Sequence, residues 1–191
     1  MDARIYMNVF TSIELNDFII KASQTEDTVG TVLRVHLVCE KMIEGWICGT
    51  IRVENFFIDD GKQIIIDCNT KIKLARNAGM PDSLCKAFKA INALRNDIAH
   101  NPTLQQIPDA KIESIRAHLD NHLAAKGKPL SENHYIKTSN SSSHELANVT
   151  FQSQEPSNKL KLCLALNILV GEVVSEVAAR NKNWDNDFRQ K

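Results

Sequence analysis

The chain has no net charge, because 23 lysines and arginines balance 23 aspartates and glutamates over 191 residues. Proteins that hold duplex DNA regardless of its sequence rely on a strong positive field, so that class is disfavoured. Zero net charge still allows a local basic patch, or one assembled across a dimer. No stretch reaches eighteen uninterrupted apolar residues. The opening Met1-Asp2-Ala3-Arg4-Ile5 lacks the basic region, apolar run and small-residue cleavage site of a leader peptide. The expectation is a soluble cytoplasmic protein with no membrane association. The cysteines (Cys39, Cys48, Cys68, Cys85 and Cys163) show no short paired spacing and sit mainly in apolar helical runs. They read as reduced, buried thiols in a reducing compartment.

Most signatures of cofactor chemistry are missing too. There is no phosphate-binding glycine loop, no dinucleotide fingerprint, no Gly-x-Ser-x-Gly elbow, no clustered Cys/His spacing and no DNA-reading helix-turn-helix. No cofactor and no metal are expected. His118 and His122 are four residues apart, a spacing that can hold zinc, but they lack a third nearby ligand and read as a solvated helix face. Ser141 to Ser143 with His144 read as a serine-rich linker. No internal repeat is visible.

What the chain does carry is helical periodicity. Ile5, Val9, Phe10, Ile13 and Ile20 predict a first helix ending around Lys21 to Gln24. Asp27 or Thr28 caps a second run from Val29 to about Thr50, whose apolar residues nearly surround its axis and mark it as the spine of the fold. Phe56-Phe57-Ile58 and Asp59-Asp60-Gly61 read as a packed connector. A third helix is predicted from Gln63 to Ala78, closed by Gly79 with Pro81 beyond. A fourth runs from Leu84 to His100, because Asn101 precedes Pro102 and is pushed out of the helical region. Asp109 to Leu123 gives a fifth. Residues 130 to 157 read as a loop or weak hairpin, and Lys159 to Arg180 as a last, very apolar helix. The predicted fold is all-α, a bundle of about six helices in one domain spanning 1–191.

Candidate chemistry concentrates in Arg95-Asn96-Asp97-Ile98-Ala99-His100, at the end of the fourth helix. An arginine that grips a phosphodiester and a histidine that moves a proton beside it suit nucleic-acid cleavage. At about 100° per residue, Arg95 falls about 40° from Ile91, on the core-facing side, so its permanent charge requires a partner or an opening. Glu40 on the second helix shares a face with Val29, Val32, Leu33, His36, Ile43 and Ile47. It is the expected partner of Arg95, with His36 and Asp97 as further supporting residues. Asn96 and His100 share a face, but Arg95 and His100 diverge by about 140° on an ideal helix. Convergence on one atom therefore needs a distorted last turn or a second copy of the helix across a symmetry axis.

The central run Leu33-Arg34-Val35-His36-Leu37-Val38-Cys39-Glu40-Lys41, followed by Leu94-Arg95-Asn96-Asp97-Ile98-Ala99-His100-Asn101, resembles the HEPN superfamily. The hallmark of that superfamily is an arginine, four to six residues and a histidine, often with a polar residue directly after the arginine. The order of parts, with Lys71-Ile72-Lys73-Leu74-Ala75-Arg76-Asn77-Ala78-Gly79 ahead of the motif, is similar to the mannitol operon repressor branch. The resemblance covers roughly residues 25 to 180. It implies a homodimer that cleaves or binds RNA without metal, with Arg95 on the phosphate, His100 in proton transfer and Asn96 orienting one of them. For other members it implies a transcriptional regulator acting through protein contacts. An antitoxin or regulatory protein is an expected partner in either case, and direct DNA binding is not expected.

Overall fold

Three aspartates start the first three helices among the described residues. Asp2 accepts from the N–H groups of Arg4 and Ile5 and opens α1 (Ala3–Phe10). Asp27 accepts from Val29 and Gly30 at 2.9 and 2.8 Å and opens α2 (Thr28–Ile51), and Asp67 caps α3 (Cys68–Asn77) through Thr70. Each carboxylate satisfies donors that a helix start leaves without partners. Gly79, at φ +87°, turns the chain out of α3, and Pro81 leads into α4 (Asp82–His100). Beyond it lie α5 (Asp109–Ala124) and α6 (Asn158–Arg180). This computed structural model describes residues 1–11, 27–101, 106–130, 134–139, 146–153 and 157–181.

The architecture is an all-α bundle with six helices among the described residues. Helix α2 is its axis, packed against α1, α3, α4 and α6, while α5 closes the ring between α4 and α6. Burial on nearly every side of α2 explains its continuous apolar character: Val32, Val35, Met42, Ile43 and Trp46 are all fully enclosed. Helix α6 is long and apolar enough to cross a membrane by length and composition alone. Here Leu162, Leu164, Leu166, Leu169, Val173 and Val177 are buried in the core.

Among the described residues two hairpins decorate the bundle. The first pairs β1 (Ile58–Asp59) with β2 (Lys62–Gln63) around Asp60 and Gly61, whose φ values of 47° and 73° build a two-residue turn. This corrects the expected start of the third helix. Residues 63 to 67 are not helical because pairing carries Ile64 back to the carbonyl of Phe57, and the Asp67 cap sets the start at Cys68. Of the expected packed connector only Phe57 is buried; Phe56 and Ile58 are exposed. The second hairpin joins β3 (Ile136–Ser139) to β4 (Leu146–Val149), as expected for that region. The first helix ends at Phe10, with Thr11 as its C-cap, and its expected continuation to Lys21–Gln24 lies outside the described residues, as do Ser141 to Ser143 and His144.

Candidate functional site

Midway along α4, Asn92 joins three helices. Its Oδ1 lies 2.9 Å from His36 Nε2 on α2, and its Nδ2 donates to Asn69 Oδ1 on α3 at 3.1 Å. Because the amide nitrogen of Asn92 faces Asn69, its oxygen must accept, so His36 donates from Nε2. Burial is the main cause holding His36 below the ordinary histidine value, against the opposing pull of the Asn92 hydrogen bond and Glu40. The imidazole is therefore a neutral donor that fixes α4 against α2.

One turn further on stands Arg95, half-buried. Its Nη1 donates to Asn96 Oδ1 at 3.2 Å, while its Nε is buried without an acceptor. Its charge acts on both His36 and Cys68, which places it beside α2 and α3. An N–H left in that state costs about 1–3 kcal/mol. The guanidinium is thus held at one nitrogen and left without an acceptor at its buried Nε.

The expected Glu40–Arg95 pair does not form. Glu40 instead accepts from Lys71 Nζ on α3 at 2.7 Å, and Lys71 also reaches Glu44 at 2.6 Å, with Lys41 closing on the other oxygen of Glu44 at 2.7 Å. Lys71 and Glu44 are almost wholly enclosed, and Phe57 covers the lysine with its ring 5.5 Å away. The lysine wins because α3 lies directly against this part of α2 and its ammonium reaches two carboxylates at once. Asn69, Lys71 and Asn92 were not among the residues expected from sequence. Lys71 had a signal: it shares the i, i+3, i+4 stripe of Cys68, Ile72 and Ala75 that faces the core.

The remaining motif residues separate. His100 is exposed in the last turn of α4, and Asn96 is half-buried next to Arg95. Asp97 is exposed and pairs with Lys111 on α5, so it braces α4 against α5 rather than supporting the arginine. The chain therefore brings together His36, Asn69, Asn92, Arg95 and Asn96, while His100, about 140° round the helix from Arg95, is exposed in the last turn. Close by, Leu33 and Leu37 stand one turn apart on α2, exposed, where the sequence placed Leu33 on a core face.

Among the described residues no group of three His, Cys, Asp or Glu side chains is arranged to hold a metal ion. His118 and His122 do not act together as a solvated face. His122 is buried, with Nδ1 on Ser83 Oγ at 2.9 Å and Nε2 on Glu172 at 3.2 Å. The cysteines are free thiols, four buried and Cys68 half-buried, and burial raises the Cys68 thiol to about 12.

These observations define an all-helical bundle with an arginine-centred polar cluster at the meeting of α2, α3 and α4. Compared with protein-family models, curated proteins and solved structures, the chain matches none.

Proposed function

We propose that the protein is a HEPN-type, metal-independent endoribonuclease working as a homodimer, with Arg95 binding the scissile phosphate. The observation that carries this reading is the guanidinium itself: half-buried, anchored by Asn96 through one nitrogen, and short of an acceptor at its buried Nε. A phosphate oxygen is the acceptor whose geometry suits an arginine fork. The RNA 2′-hydroxyl supplies an internal nucleophile, so the reaction needs only charge stabilisation and proton transfer. Within one protomer His100 points away by about 140°, so the proton-transfer group comes from the second subunit's motif helix. Leu33 and Leu37 offer apolar surface beside the cluster for such a contact. Free thiols throughout fit a cytoplasmic setting.

The runner-up is a non-catalytic regulator of the mannitol operon repressor type acting through protein contacts, favoured by the same exposed leucines and by zero net charge. The test is cleavage of end-labelled single-stranded RNA in EDTA by wild type, Arg95→Ala and His100→Ala, with molar mass followed by light scattering. Cleavage by wild type alone supports the nuclease. If active sites form across the twofold axis, mixing the two inactive variants restores about a quarter of the activity, since half the dimers are mixed and each keeps one intact site. Intact RNA with wild type, with dimerisation lost in Arg95→Ala, favours the regulator; a monomer that leaves RNA intact sinks the nuclease reading.

A further inference from the structure

At the opposite end of α4, about 18 Å from Arg95 along the helix, a second group of side chains is assembled for different chemistry. Ser83 lies in the first turn of α4, half-exposed, with its Oγ 2.9 Å from Nδ1 of His122 on α5. The other ring nitrogen, Nε2, lies 3.2 Å from Glu172 Oε2 on α6, and the imidazole is 4% exposed. Three helices thus place a hydroxyl, an imidazole and a carboxylate in one hydrogen-bonded line. The carboxylate can only accept from Nε2–H, which leaves Nδ1 unprotonated and facing the serine. Helix α4 starts without a side-chain cap, and the N–H groups of Asp82, Ser83 and Leu84 make no hydrogen bond to the backbone or to a cap. Unpaired first-turn N–H groups form an anion-binding end next to the serine oxygen.

We propose that Ser83, His122 and Glu172 form a second reactive site, in which Ser83 takes an acyl group from a small ester and passes it to water. Ser83 Oγ attacks the ester carbonyl as its proton moves to His122 Nδ1. The developing oxyanion faces the first-turn N–H groups, the carbon–oxygen bond to the alcohol breaks, and the alcohol leaves with the proton from His122. Water, deprotonated by His122, then splits the serine ester, and the proton returns to Ser83 as the carboxylic acid departs. Glu172 is a positioning residue, holding the ring in the required tautomer. Lys126 is bound to Glu172 and Glu176 at 2.7 and 2.8 Å, and this fixes the Glu172 side chain in place. Burial first, then the charge of Lys126, hold His122 below the ordinary histidine value against the opposing effect of Glu172 and Glu176. The ring is then neutral and available as a base at pH 7.

A purely structural tie between α4, α5 and α6 would use the same bonds but would not make Ser83 reactive, and the test rests on that difference. The full-length protein is incubated with a fluorophosphonate probe and the adduct located by peptide mass mapping, with the chain unfolded in urea as background. One phosphonyl group on Ser83, absent in urea and in Ser83→Ala, is the expected result. Labelling slows by about 100-fold or more in His122→Gln, slows also in Glu172→Gln at unchanged melting temperature, and is unaffected in Arg95→Ala. Hydrolysis of p-nitrophenyl acetate follows the same order. An unlabelled Ser83 in natively folded wild type overturns the proposal without recourse to any variant, and so does labelling spread over other serines or equal in the urea control.

Discussion

Replacing Lys71 by methionine tests how the cluster is held together. In the wild type its Nζ sits 2.7 Å from Glu40 and 2.6 Å from Glu44, and the side chains of Lys71 and Glu44 are each 3% exposed. Methionine preserves most of the stem volume, so little cavity cost enters. What is lost is the ammonium, leaving the Glu44 carboxylate buried with only Lys41 as counter-charge. Removing one member of a buried pair costs about 3–5 kcal/mol; the surviving Lys41 contact puts this case near 3 kcal/mol. For a chain of this length that corresponds to a drop in Tm of about 6–12 °C. Neutralising the stranded acid in Lys71→Met/Glu44→Gln is expected to recover at least 1 kcal/mol of that loss. Urea unfolding followed by circular dichroism reads both quantities. A loss below about 1 kcal/mol for the single variant, or a double variant less stable than the single one, refutes the argument that Lys71 neutralises a buried acid. Burial alone would lower the Lys71 pKa, but the hydrogen bonds and charges of Glu40 and Glu44 outweigh it and raise it above the ordinary 10.5. A raised lysine contributes its full stability below the unfolded value and loses it as pH climbs through the folded one. The gap between wild type and Lys71→Met should therefore stay constant from about pH 7 to 9 and narrow only above about 10.5.

Other outcomes follow from the same structure. His36 and His122 are both held below the ordinary value of 6.5, so the unfolded chain binds more protons than the folded one. Stability should fall as pH drops through and below 6.5, and the Tm difference between pH 7.5 and 5 should shrink in His122→Gln. A Cβ at Gly49 would come 2.9 Å from the Asp2 carbonyl oxygen, so Gly49→Ala should destabilise by about 1–3 kcal/mol in urea titrations despite its better helix propensity. At Gly171, in the exposed face of α6, nothing lies within 4 Å; alanine there should stabilise by about 0.5–1 kcal/mol. Arg95→Ala should leave the unfolding free energy in urea titrations within about 1 kcal/mol of wild type, because the guanidinium makes a single hydrogen bond to its neighbour.

The helices were legible because their signals are local. Aspartates at the starts, Gly79 and Pro81 at a junction, and the all-round apolar run of α2 each act within a few residues. The start of α3 was misread because Ile64-Ile65-Ile66 looks like the beginning of a buried helix, although Ile65 is 98% exposed. The Asp60-Gly61 turn and the Asp67 cap, with Thr70 three residues on, were the competing cues. The arginine cluster was half legible. A helical wheel places Glu40 and Arg95 toward a common interior, but it gives no height along the axis and no knowledge of which third helix comes between. Lys71 settled that question from α3, and Asn92, one turn before Asn96, proved to be the residue that joins α2, α3 and α4. The Ser83–His122–Glu172 line spans 89 positions of sequence, and only the packing of three helices aligns it.

Helix α1 shows what two missing side chains achieve. Gly45 and Gly49 present bare backbone to Tyr6 and Asp2, and the amide of Asp2 donates to the Gly49 carbonyl at 2.8 Å. Eight residues are too few to stay helical alone in water, so this segment behaves as an internal ligand lodged in a slot on the bundle's spine. It should dock after the slot exists and be the first piece to exchange its amides, with Tyr6 as the peg that decides whether it remains seated.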